Sequence, residues 1–155
     1  MAARSVRKIR TGDLASVYSL GKGMLFSSGE GVPWSPESIA DILCSDPGLS
    51  FVCLDRKRIT GFLIACDCRD REQGARIQWL WAERDSWEIK DNLLLAFYDE
   101  AVLRDISPVT ASVWSDEPRF AEYLKGRGFR EGCSRTVTRL VLTDIPRGPG
   151  TGEKP

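Results

Sequence analysis

Apolar residues recur along this chain in two different periods, and the switches between them predict the order of elements. From Ser5 to Arg10 the pattern is close to period two, with Val6 and Ile9 flanked by charge, which predicts a short strand. Thr11-Gly12-Asp13 then offers a cap, and Leu14, Val17, Tyr18, Gly21, Met24 and Leu25 recur at three and four residues, the spacing of an amphipathic helix. Ser27 to Trp34 has the composition of a loop, and Ser35-Pro36 places a cap and a first-turn proline ahead of Ile39, Ile42 and Leu43 in a second, shorter helix. Leu49 to Leu54 and Ile59 to Cys66 are β-prone runs joined by the turn-like Asp55-Arg56-Lys57-Arg58. After a charged turn from Arg69 to Gly74, Ala75 to Ala82 gives a third strand with Trp79 and Trp81 on one face, so the three make an antiparallel meander.

Asp85 with Glu88 three residues on reads as a capping box for the longest helix, whose seam is Ile89, Leu93, Ala96, Phe97 and Ala101. Pro108 to Trp114 is a further strand, Glu117 to Arg127 a short helix ended by Gly128-Phe129, and Thr136 to Leu142 the last strand.

Composition narrows the chemistry. A chain of 155 residues allows one domain, expected over residues 1–143, followed by a Pro/Gly-rich tail, residues 144–155, expected to be disordered. Lys plus Arg and Asp plus Glu number 22 each, so the net charge of zero leaves no overall footprint for a nucleic acid or an anionic membrane. No long apolar run marks a membrane span or a secretion signal. Histidine is absent, which excludes Ser-His-Asp and Cys-His nucleophiles, histidine metal ligands and a histidine proton switch. The five cysteines form an odd set without a CxxC pair; they read as free thiols and point to a reducing cytoplasm.

Taken in order, the elements resemble those of the GNAT superfamily of N-acetyltransferases over roughly residues 5–142. Val6-Arg7-Lys8-Ile9-Arg10 with Gly12-Asp13-Leu14 is similar to the family's opening strand and helix start, Ile59-Thr60-Gly61-Phe62 to its third strand, and Gly126-Arg127-Gly128-Phe129 to the close of its last helix. The resemblance implies an α+β fold: a mixed, mostly antiparallel, splayed sheet with helices on both sides. It also implies an acetyl-CoA donor in the splay, held by the strand at Leu80, Trp81 and Ala82 and by the loop and helix start at Ser86, Trp87, Glu88, Ile89 and Lys90. That loop departs from the family's R/Q-x-x-G-x-G/A: it reads Asp85-Ser86-Trp87-Glu88-Ile89-Lys90, with no glycine and two carboxylates where a phosphate would sit.

By the same resemblance Glu83 is the candidate base and Tyr123 the candidate acid, although the family's tyrosine place holds Leu124 and its asparagine place Glu117. Trp34, Trp79, Trp81, Trp87 and Trp114 are expected to line or fill the cleft. Two functions follow: an N-acyltransferase moving an acyl group, most simply acetyl, to an amine of a small molecule or peptide, or a non-catalytic binding or regulatory module that has lost acyl-CoA binding.

Overall fold

The computed structural model describes residues 4–22, 34–45, 47–67, 74–114, 118–131 and 137–142. In chain order the elements are β1 (Arg4–Lys8), α1 (Leu14–Gly21), α2 (Pro36–Ser45), β2 (Phe51–Asp55), β3 (Arg58–Asp67), β4 (Ala75–Ala82), α3 (Trp87–Leu103), β5 (Val109–Trp114), α4 (Pro118–Lys125), β6 (Arg130–Glu131) and β7 (Val137–Leu142). Among the described residues the strands form one sheet in the order β1-β2-β3-β4-β5-β7-β6, antiparallel throughout except between β4 and β5. This is the mixed, mostly antiparallel architecture that the periodicity and the resemblance predict, with the two-residue β6 added. The loop expected before Trp34, the charged turn before Gly74, Glu117 and the tail lie outside the described residues.

Each face of the sheet carries its own core. On one, Leu63, Leu80 and Ala82 pack with Ile89, Leu93 and Phe97 of α3 and with Leu124 of α4. On the other, Phe62, Ile64 and Trp79 pack with Val17 of α1 and Ile39 of α2. Gly61 explains one element of the sequence pattern: a Cβ there would meet Ile89 Cγ2 at 2.6 Å and the Trp81 carbonyl at 2.9 Å, so the missing side chain lets α3 lie directly on β3.

A β-bulge in β4 opens the sheet. Ile64 of β3 lies opposite Trp79 and Ala65 opposite Ile77, which leaves Gln78 as an extra residue. The bulge changes the side-chain parity, so Ile77 and Leu80 both face α3 while Trp79 turns to the α1/α2 face. Beyond it, β4 and β5 part. They pair only from Ala75–Val109 to Ile77–Ala111, whereas β5 continues against β7 as far as Trp114.

Candidate functional site

The parting of β4 from β5 creates a cleft of about 340 Å³, lined by Leu80, Trp81 and Ala82 of β4, Arg84 and Asp85 of the following turn, Trp87 and Lys90 of α3, and Arg119 and Phe120 of α4. Five of the eight residues expected to hold the donor therefore line it: Leu80, Trp81, Ala82, Trp87 and Lys90. The other three do something else. Ser86, and not Asp85, caps α3: its Oγ accepts the Ile89 N–H at 3.2 Å, so Ser86 and Ile89 close the helix end on each other. Glu88 turns out of the loop to accept a hydrogen bond from Arg4 of β1 at 2.6 Å.

The expected capping box fails because the backbone between strand and helix is left-handed at two successive residues, Arg84 (φ 54) and Asp85 (φ 54). That turn shifts the cap by one residue and carries Asp85 away from the helix N–H groups. Non-glycine residues in this conformation cost on the order of 1 kcal/mol each.

The two carboxylates expected to repel a phosphate are both neutralised. Glu88 has Arg4, and Asp85 accepts a short hydrogen bond from the Lys90 ammonium. Lys90 is buried at 5% exposure, yet its ammonium lies over the Trp87 ring, 4.1 Å from the centroid, and 5.5 Å from that of Phe120. Arg84 and Arg119 are exposed and make no ion pair among the described residues. The wall of the cleft therefore carries three cations against one carboxylate.

The acid and base expected from the sequence are held elsewhere. Glu83 does not line the cleft; it turns back to β3, where Arg58 donates to both of its oxygens at 2.7 and 3.1 Å. The Arg58 hydrogen bonds hold its carboxyl below the usual range, which weakens it as a base. Tyr123 is buried, and its hydroxyl donates to Asp91 Oδ1 at 2.7 Å. Burial first, and then the Asp91 carboxylate, push the phenol far up, so it is a poor acid. Arg127 completes the network by donating to both Asp91 oxygens at 2.8 and 2.6 Å. Burial pushes the Asp91 carboxyl up, but hydrogen bonds from Arg127 and Tyr123 outweigh it and hold it low.

Of the tryptophans whose side chains are described, Trp81 and Trp87 line the cleft and Trp34 and Trp79 do not. Trp79 is 1% exposed in the α1/α2 core, with Trp34 edge-on to it at 5.0 Å. Trp34, Phe62 and Trp81 follow one another as near-parallel rings on that same face, at 5.3 and 5.5 Å, and only Trp81 reaches the cleft wall. Trp87 lies on the opposite face, stacked on Tyr123 at 4.6 Å with Lys90 over its ring. The side chain of Trp114 lies outside the described residues. Among the described residues the cleft is thus flanked by indoles but not plugged by them.

Sequence reasoning missed Arg84, Arg119, Asp91 and Arg127. Asp91 and Arg127 are 36 residues apart, and only the docking of α4 on α3 joins them.

Neither a protein-family model nor a curated protein matches this chain. Solved structures do. Ard1 from Thermoplasma volcanium superposes with a TM-score of 0.77 at 18% identity, covering 92% of this chain and 99% of that one. The ribosomal-protein-S18-alanine N-acetyltransferase from Escherichia coli gives 0.75 at 16% identity, covering 98% and 100%. A chain of the NatC complex bound to Gag peptide and CoA gives 0.77 at 16% identity, covering 90% and 98%. The fold is that of the GNAT N-acetyltransferases.

Proposed function

We propose that this protein is an N-acyltransferase that uses acetyl-CoA to acylate an amine of a small molecule or a peptide terminus. One observation carries the reading: β4 from Gln78 to Ala82 has left β5 and faces an open, cation-lined cleft beside the start of α3. Backbone N–H groups on such an edge are donors that sequence change cannot remove. The N-acetyltransferase from Escherichia coli and the CoA-bound NatC complex, which share the fold, support the choice of donor and of an amine acceptor.

The residues present fit a thioester donor, with one substitution of means. Leu80, Trp81 and Ala82 would hold its extended arm against the β4 edge, and the wall formed by Trp87 and Lys90 would hold its charged end. Ser86 and Ile89 are committed to the cap, which leaves the Trp87 and Glu88 N–H groups at the helix start. The donor supplies a carbonyl carbon that an amine can attack, the C–N bond forming as the C–S bond breaks. The protein contributes position, which converts a bimolecular encounter into a local one, and backbone donors beside the carbonyl oxygen. Glu83 and Tyr123 have no part in proton transfer in this reading: the amine proton goes to solvent and the leaving thiolate takes one from it.

A second reading, a non-catalytic binding module on the same fold, is favoured by the engagement of Glu83 with Arg58 and of Tyr123 with Asp91. Release of free CoA from acetyl-CoA, measured with a panel of polyamines, amino acids and short peptides, separates the two. Amine-dependent release supports the enzyme; no release over the whole panel leaves the module. Among the described residues no helix is long and apolar enough to cross a membrane. The free thiols Cys44 and Cys53 suit a reducing cytoplasm.

A further inference from the structure

In this turn the glycines of a usual anion-binding loop are absent. No glycine stands between Glu83 and Lys90, and the Lys90 side chain lines the cleft. What the turn does present is charge. Arg84 and Arg119 both line the cleft without an ion-pair partner among the described residues, and Lys90, nearly buried, lines it with them. An ammonium has three protons to donate. That of Lys90 meets one carboxylate, Asp85, whose side chain is itself 61% exposed, and two aromatic faces that accept no full hydrogen bond. The two successive left-handed residues that hand the cap to Ser86 also leave Arg84 exposed in the lining of the cleft.

We propose that Arg84, Lys90 and Arg119 form a side-chain clamp for the phosphate groups of the donor, in place of the backbone amides of a glycine loop. The inference rests on the acyl-CoA reading above and deepens it. Binding places a phosphate between the two arginines and draws the Lys90 ammonium from Asp85 towards the ligand. The Trp87 and Phe120 rings flank that ammonium at 4.1 and 5.5 Å from their centroids. Side-chain cations near the surface are screened by salt, whereas backbone amides at a helix start carry only partial charges, so a clamp of this kind gives a steeply salt-dependent affinity.

The test is calorimetric titration of the purified full chain with acetyl-CoA from 25 to 300 mM KCl. Arg84→Gln and Arg119→Gln remove exposed, unpaired cations and leave the fold intact. Each is expected to weaken binding roughly 10-fold, the scale of a lost charge-assisted hydrogen bond, and to flatten the salt dependence. Lys90→Met keeps the stem and is expected to lose at least as much. Arg56→Gln, on the β2–β3 turn, is expected to bind as the wild type does. Wild-type affinity and salt slope in the Arg84→Gln/Arg119→Gln double variant would overturn the clamp while leaving the acyl-CoA reading in place. Absence of binding by the wild type at 25 mM KCl would overturn both.

Discussion

Replacing Trp79 by alanine tests whether the indoles fill a core or line a pocket. Its ring is 1% exposed, packed under α1 and α2 against Trp34, so truncation opens a void that no solvent enters. Emptying a buried aromatic site costs about 3–5 kcal/mol. One feature of Trp79 lowers that figure: its Nε1 is buried without a hydrogen-bond partner, and removing an unsatisfied donor returns about 1 kcal/mol or more. The low end, about 3 kcal/mol, is expected for Trp79→Ala, a loss of roughly 6–12 °C in Tm for a chain of this size. Trp79→Phe isolates the competing effects, since it keeps most of the apolar contact while deleting the orphan donor. Its net cost should stay within about 1 kcal/mol. Trp81, half-buried at the cleft wall, should cost about 1–2 kcal/mol on truncation because water already reaches part of the ring. Urea unfolding followed by far-ultraviolet circular dichroism gives all three. A Trp79→Ala loss below 1 kcal/mol, or Trp79→Phe as damaging as alanine, would refute the division of indoles between core and cleft.

Other outcomes follow from single contacts. Tyr123→Phe should leave any acyl transfer rate within a few-fold of wild type, since the hydroxyl is spent on Asp91; a loss of 100-fold or more with the fold intact, the scale of a missing general acid, would restore Tyr123 as the acid. Asp91→Ala strips Tyr123 and Arg127 of their shared acceptor and should destabilise by about 1–3 kcal/mol in urea titration. Hydrogen bonds from Arg7, and the backbone N–H of Arg10, hold the buried Asp13 carboxyl below its unfolded value. Its stabilisation is therefore present above the unfolded pKa of about 4 and is lost as pH falls below it, so Asp13→Asn should flatten the drop in urea midpoint between pH 5 and 3. Gly61→Ala drives a Cβ into the Trp81 carbonyl and Ile89 and should cost about 1–3 kcal/mol, read from the thermal midpoint.

How much of this was legible in the sequence depends on how far apart the interacting residues lie. Strands β3 and β4 and the seam of α3 were visible because their periods of two and 3.6 are local, and Gly61 kept its place in that pattern for a steric reason now plain. The start of α3 was misread by one residue. Asp85 with Glu88 satisfies a capping box on paper, and nothing in the string shows that Arg84 and Asp85 turn left-handed and hand the cap to Ser86. The charge balance of the cleft was hidden for another reason. Glu83, Asp85 and Glu88 look like an acidic loop until Arg58, Lys90 and Arg4 are brought to them, two of these partners from other strands. The bulge at Gln78 likewise leaves no mark on composition, yet it decides which layer Trp79 and Trp81 face.

The account stands on the opened β4 edge being the seat of an acyl-CoA, and a thermal melt of the wild-type chain with acetyl-CoA at low ionic strength tests that most directly. A ligand at about 100 times its dissociation constant stabilises by about 2.7 kcal/mol, which corresponds to a rise in Tm of roughly 5–11 °C for a chain of this size. That rise is the result expected, with 3′,5′-ADP giving a smaller rise because it carries phosphates but no arm for Leu80 to Ala82. An unchanged midpoint at millimolar acetyl-CoA would contradict the proposal at its centre.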